Sequence, residues 1–169
     1  IRIVQGSPEN IKITDSVDLV LADELFRIRT QYLLPNASGL DLRGKNTLVF
    51  GGSDGIGKAI VQVLEEAGGQ VQSISRRSGC DVADHKQVTA VIDEAVQRWG
   101  HIDNVVNAAG LLIKNPLDQQ THDEVVEQVS VNLMGSLNVA QCSHSALKAP
   151  QGMLLQFSSS SFTRGRADY

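Results

Sequence analysis

The sharpest chemistry in the chain lies in Gly51-Gly52-Ser53-Asp54-Gly55-Ile56-Gly57. Each glycine has a physical use there. Gly51 permits a tight turn, Gly55 lets a ligand approach the backbone, and Gly57 allows close packing of a helix on a strand. The apolar run Thr47-Leu48-Val49-Phe50 before the loop reads as a buried strand. Residues 58–67 after it read as a helix with Ile60, Val63 and Leu64 facing inward. In this strand–loop–helix context the helix start offers unpaired N–H groups and a positive dipole end, which suit a pyrophosphate. Ser53, Asp54 and Ile56 belong to the same cradle. A glycine turn without a ligand is the competing reading.

Two further clusters fall at strand ends. Ser75-Arg76-Arg77 closes a second strand, Val71 to Ser75. A carboxylate there would bind the ribose hydroxyls of NAD. No acid is present, and two guanidinium groups that can fork a phosphate stand in its place. This favours NADP(H) over NAD; the alternative is that both arginines are solvated surface charges. Asn107-Ala108-Ala109-Gly110 closes a third strand, Ile102 to Val106, with small residues that admit a ligand close to the backbone.

These clusters need a scaffold, and the spacing of apolar residues supplies one. Beyond the strands already named, residues 84–99 form a helix with Val88, Val91, Ile92, Ala95 and Trp99 on one face. A long helix is expected at about 122–148 and a fourth strand at Met153 to Phe157. Strands alternating with helices imply a parallel sheet covered on both faces. Residues 1–30 form a separate unit: short strands at Ile1–Val4 and Ile11–Ile13, then a helix from Ser16 to Arg29 capped by Thr14 or Asp15. Residues 31–41 lose all periodicity and read as a linker. Thirty residues cannot bury a core of their own, so 1–30 is read as the tail of another domain or a docked extension. The chain opens at Ile1 and stops at Tyr169, which reads as a piece of a longer polypeptide.

Composition narrows the function class. The chain has 169 residues, 41% hydrophobic and 20% charged, with a formal net charge of −4. That sign and the lack of a basic run argue against nucleic-acid binding. No apolar stretch is long enough to span a bilayer. No leader-like start marks the chain for secretion, so a cytoplasmic location is expected. Cys80 and Cys142 have no ligand-like neighbours, so we expect reduced thiols and no metal site.

The pattern Gly51-x-x-x-Gly55-Ile56-Gly57, in register with Asn107-Ala108-Ala109-Gly110, resembles the short-chain dehydrogenase/reductase family. The family loop usually begins with Thr, where this chain has Phe50, so another contact must brace the loop. Cys80-Asp81-Val82 resembles the family segment beside the adenine ring, with Asp81 placed to accept from the adenine amino group. Only Ser78 and Gly79 separate Arg77 from Cys80, where the family carries a helix and a strand. A parallel crossover needs a dozen or more residues. The expected fold is therefore a truncated, Rossmann-like, doubly wound parallel α/β sheet over residues 42–169, its outer helix and strand reduced or absent. The resemblance implies hydride transfer with Asn132 and Ser159 as catalytic residues. The Asn132 carbonyl would hold a water of the proton relay, and the Ser159 hydroxyl would hydrogen-bond the substrate carbonyl, with Ser158 as second choice. Tyr169 lies ten residues after Ser159 against a family spacing of thirteen, with no Lys behind it. The catalytic Tyr and Lys are expected beyond residue 169, and the 169-residue piece alone is expected to be inactive.

Gln5-Gly6-Ser7-Pro8-Glu9-Asn10-Ile11-Lys12-Ile13-Thr14, followed by Asp18-Leu19-Val20-Leu21-Ala22, resembles the C-terminal segment of sugar-phosphate cytidylyltransferases. The resemblance implies that Lys12 contacts a substrate phosphate, and that CTP and Mg serve a transferase domain upstream; an exposed strand lysine is the alternative. A transferase tail, a linker and a short-chain reductase in that order resembles bifunctional bacterial enzymes. These reduce ribulose 5-phosphate with NADPH and activate ribitol 5-phosphate as CDP-ribitol for capsule or wall polymer. The expected partners are a sugar phosphate and further copies of the chain. A catalytically silent NADP-binding module and a free-standing reductase of another small carbonyl compound are the competing readings.

Overall fold

The computed structural model describes residues 14–33 and 40–159. The chain divides into two units, Ile1–Leu40 and Asp41–Tyr169. In the first, a single described helix, α1, spans Ser16–Leu33. Its start is fixed by Asp18, whose carboxylate accepts from the Thr14 N–H at 2.8 Å, the Thr14 hydroxyl at 2.9 Å and the Asp15 N–H at 2.9 Å. Those bonds, Thr14 first, hold the Asp18 carboxyl below its ordinary range. The helix runs four residues past the expected end at Arg29, into the stretch read as linker; Pro35 follows two residues after its last turn. Val17, Val20 and Leu21 are exposed. The strands expected at Ile1–Val4 and Ile11–Ile13, and Lys12 with them, lie outside the described residues.

The second unit is built on four parallel strands, β1 (Asn46–Phe50), β2 (Gln70–Ile74), β3 (Asn104–Asn107) and β4 (Met153–Gln156), in the order β2-β1-β3-β4. Phe50 pairs with Ile74 and with Asn107, and Asn107 pairs with Gln156. All four C-terminal ends therefore share one edge. Every residue of β1 is buried, as a central parallel strand covered on both faces requires.

The helices are α2 (Gly55–Glu66), α3 (His85–Trp99), α4 (His122–Val129) and α5 (Gly135–Lys148). The β1-to-β2 crossover runs one way across the sheet and the β2-to-β3 and β3-to-β4 crossovers run the other, so right-handed connections put α2 on one face and α3 and α5 on the other. The core lies on the α3/α5 face, where Val88, Ile92 and Ala95 of α3 meet Val139 and Leu147 of α5 over Leu48, Phe50 and Val105. The α2 face is thinner. Ile60 and Leu64 are half-buried, and Val63, expected inward, is 40% exposed. Among the described residues of this unit no second helix flanks α2, so within the unit its apolar side is only partly covered.

Two local features bear on the site. Between β2 and α3 the chain makes only a one-turn 3₁₀ helix, Arg76–Ser78, closed by Gly79 at φ 90°. No helix or strand intervenes and β2 is the sheet edge, as the short spacing predicted. The helix expected as continuous over 122–148 is instead interrupted by a π-helical turn, Ser130–Met134. Helix α2 starts three residues earlier than its apolar pattern suggested, because the Asp54 side chain caps it by accepting from the Gly55 N–H at 2.8 Å.

Candidate functional site

A cleft of about 610 Å³ opens at the C-terminal edge of the sheet, within the usual size of a ligand site. One wall is the glycine loop, through Gly51, Ser53, Asp54, Gly55 and Ile56. A second is the end of β2, through Ser75, Arg76 and Arg77. Asp81 and Val82 form the third, and Ala108, Ala109 and Gly110 the fourth. Three clusters far apart in sequence thus meet around one space. Gly57 and Asn107, also expected at the site, stand behind the wall and shape it.

The glycines act in two ways. Gly51 has φ 77°, and a Cβ there would stand 2.5 Å from the Ala109 nitrogen. A Cβ on Gly57 would stand 2.1 Å from the Gly51 carbonyl oxygen, so this glycine serves the fold of the loop itself rather than packing on a strand. Gly55, at φ 52°, has no atom within 4 Å of a Cβ position and leaves the backbone open to the cleft. The brace that Phe50 cannot supply comes from the main chain. The Gly51 and Gly52 N–H groups donate to the Ile74 carbonyl at 2.7 and 3.3 Å, and the Ala108 N–H donates to the Phe50 carbonyl at 2.8 Å.

The Asp81–Val82 segment reaches the cleft from a short turn. Asp81 Oδ1 accepts from the Ala83 N–H at 2.9 Å. Asn138 of α5 holds the turn from below, its Nδ2 donating to the carbonyls of Val82 at 2.9 Å and Ala83 at 3.1 Å. Arg76 makes an ion pair of 3.3 Å with Glu127 of α4. A glycine cradle, open backbone at Gly55, two arginines at the β2 end and a cleft of this volume fit a dinucleotide that carries an extra phosphate.

Asn132 lies in the π-helical turn and its side chain clamps the loop after β3. Its Nδ2 donates to the Leu111 carbonyl at 2.8 Å and its Oδ1 accepts from the Leu111 N–H at 2.9 Å. Its backbone carbonyl accepts from the Ser136 hydroxyl at 2.8 Å. Ser136 also accepts from Asn107 Nδ2 at 3.4 Å, and its carbonyl accepts from Gln156 Nε2 at 3.2 Å. The ends of β3 and β4 and the π-helical turn are thereby tied together. Ser158 and Ser159 follow β4 at the same sheet edge, and both are exposed.

Sequence reasoning missed Glu127, Ser136 and Asn138. Ser136 sits four residues after Asn132 and could have been found from helical spacing. The partners of Glu127 and Asn138 are 51 and 56 residues away, and no local pattern marks them. Cys80 also lines the cleft, but burial first, then Asp81 and Asp84, pushes its thiol up to about 11, the opposite of a reactive thiolate. Cys80 and Cys142 are both free thiols.

A parallel sheet with a glycine cradle at its carboxyl edge is the architecture of a dinucleotide-binding unit. A family model described as enoyl-(acyl carrier protein) reductase matches residues 62–169. The chain belongs to the short-chain dehydrogenase/reductase family. It is 36% identical over 173 residues to the Haemophilus influenzae bifunctional ribulose 5-phosphate reductase/CDP-ribitol pyrophosphorylase, a match covering 100% of this chain and 36% of that protein. It is 29% identical to rabbit (Oryctolagus cuniculus) L-fucose dehydrogenase over 72% of this chain and 49% of that one. The chain spans half or less of the length of these relatives. Among solved structures, a Burkholderia cenocepacia short-chain dehydrogenase in complex with NADP superposes with a TM-score of 0.68 at 26% identity, covering 76% of this chain and 60% of that one. Ligand-free Thermoplasma acidophilum aldohexose dehydrogenase gives 0.69 at 25%, covering 76% and 55%.

Proposed function

We propose that the protein is an NADPH-dependent reductase of a ketose phosphate, converting ribulose 5-phosphate to ribitol 5-phosphate. The observation that carries this reading is the similarity to the Haemophilus influenzae enzyme, which runs through the whole chain, residues 1–41 included. The rabbit relative covers only 72% of it. Support for the cofactor comes from Ser75-Arg76-Arg77 on the cleft wall and from the NADP-bound structural neighbour.

NADP(H), when bound, supplies the hydride for the substrate carbonyl. In the proposal the cradle at 51–57 holds its pyrophosphate, Arg76 and Arg77 its 2′-phosphate, Asp81 and Val82 its adenine, and 107–110 its ribose. Ser159 donates a hydrogen bond to the carbonyl oxygen of the substrate. The Asn132 carbonyl, already holding the Ser136 hydroxyl, has a second lone pair for a relay water. Residues 1–30 are assigned as the tail of a cytidylyltransferase-like domain joined by a linker at 31–41, with Lys12 on a substrate phosphate. CTP and Mg belong to that second activity, and no residue of this chain is assigned to them. The product would be CDP-ribitol for capsule or wall polymer, made in the cytoplasm by an assembly of identical chains. Among the described residues no helix is long and apolar enough to cross a membrane.

The test is cofactor oxidation by the full-length protein against a panel of ketose phosphates and simple ketoses; residues 1–169 alone are expected to show no turnover. The expected result is turnover with NADPH and ribulose 5-phosphate, and none with an unphosphorylated ketose. Turnover confined to another carbonyl class would overturn the substrate assignment. Cofactor binding without turnover on any member of the panel would favour a silent binding module.

A further inference from the structure

Arg76 opens the one-turn helix at the end of β2 and lines the cleft. Its guanidinium is held by Glu127 at 3.3 Å. Glu127 lies outside the cleft wall, on α4, four residues before Val131, which is part of that wall. The ion pair therefore ties the Arg76 wall of the cleft to α4, 51 residues away in sequence, just ahead of the π-helical turn that carries Val131. Arg77, beside it, has no ion-pair partner among the described residues. The two arginines are thus unequal before any ligand arrives: one is already paired with a carboxylate and the other is not.

We propose that Glu127 is a positioning residue that acts through Arg76 to weaken the preference of the cleft for a 2′-phosphorylated cofactor. The inference rests on the NADP(H) reading. A phosphomonoester carries close to two negative charges at neutral pH. When it approaches Arg76 it meets a guanidinium shared with a carboxylate, and must either share it or displace Glu127. Both side chains are more than half exposed, at 59% and 51%, so the pair can rearrange and adds little to fold stability. Its effect falls on the ligand instead, and chiefly on a ligand bearing the extra phosphate. NADH has only an uncharged hydroxyl at that position and feels it little.

The test is a titration of NADPH and NADH into wild-type protein and into Glu127→Gln, Glu127→Asp, Arg76→Ala, Arg77→Ala and the Arg76→Ala/Glu127→Gln double variant. Glu127→Gln is expected to tighten NADPH about three- to tenfold, because it frees the Arg76 guanidinium from a competing carboxylate near a surface, and to leave NADH within about twofold. The gain should shrink as salt rises. Glu127→Asp, which keeps the charge, should stay within about twofold of wild type for both cofactors. In the Arg76→Ala background Glu127→Gln should do nothing, a coupling that general loosening of the cleft would not produce. Weaker NADPH binding in Glu127→Gln, an equal change for both cofactors, or no change in either would overturn the inference. The underlying cofactor reading fails separately: wild-type protein would bind NADH as tightly as NADPH, and Arg76→Ala and Arg77→Ala would leave that ratio unmoved. The inference would fall with it.

Discussion

Replacing Gly55 by Ala separates the cost to the fold from the cost to the ligand. Gly55 has φ 52° and no atom within 4 Å of a Cβ position. The penalty to the fold is therefore backbone strain alone, about 1–2 kcal/mol for an L-residue in the left-handed region. That corresponds to roughly 2–8 °C in Tm per kcal/mol for a unit of this size. Gly44 supplies a matched control: φ 77°, nothing within 4 Å, and a position away from the cleft. Gly44→Ala should lose a similar few degrees. The two variants part at the ligand. A methyl at Gly55 stands where a pyrophosphate would meet the N-terminal backbone of α2. Losing one or two charge-assisted hydrogen bonds costs about 1.5–3 kcal/mol each, which is tenfold to more than a hundredfold in Kd. The assay pairs thermal unfolding without cofactor with a fluorescence titration of NADPH. Similar unfolding in both variants, with binding lost only in Gly55→Ala, supports the cradle. NADPH binding in Gly55→Ala as tight as in Gly44→Ala would refute it.

Asp103 anchors the opposite end of the sheet. It accepts from Lys45 Nζ at 2.8 Å and the Asn46 N–H at 2.9 Å, with His101 Nε2 at 3.2 Å. Burial works to raise its carboxyl, but the bonds from Lys45 and Asn46 outweigh it, and the pKa lies below the ordinary 3.8. A depressed folded-state pKa adds stability above the unfolded value that is lost as pH falls through the folded one. Asp103→Asn should therefore lower stability near neutral pH by about 1–3 kcal/mol, and the gap to wild type should close below pH 3.8 in urea unfolding at several pH values. Asn138→Ala removes the donor to the Val82 and Ala83 carbonyls and should cost about 1–3 kcal/mol. If that tie positions the adenine wall, NADPH and NADH should weaken together in the same titration; a loss confined to NADPH would count against it.

The order of elements was legible because its signals are local. An apolar run of strand length precedes the glycine loop, and the stripe Val88, Ile92, Ala95 repeats at helical spacing and is buried. The missing crossover after β2 was legible from arithmetic: too few residues separate Arg77 from Cys80 to build one. The π-helical turn at Ser130–Met134 was not, because its residues keep an ordinary helical pattern and only the backbone bonding differs. The reach of α1 to Leu33 was hidden because Gln31-Tyr32-Leu33 shows no periodicity of its own. Val63 was read as inward from spacing alone, but a helix face is buried only where a neighbour covers it, and that depends on tertiary context. At the site, residue types drew attention to Arg76 and Asn132. Nothing local could show that Glu127 holds the first; for the second, only the four-residue spacing of Ser136 from Asn132 pointed to the hydroxyl on its carbonyl.

The central claim is that this cleft serves reduction of a phosphorylated ketose with NADPH. It is tested most directly by following NADPH oxidation by the full-length protein with ribulose 5-phosphate as sole acceptor, and repeating it with NADH. The account predicts turnover with NADPH that exceeds turnover with NADH, and ribitol 5-phosphate as product. Oxidation of NADH in preference to NADPH, or NADPH bound tightly with ribulose 5-phosphate left unreduced, would contradict it.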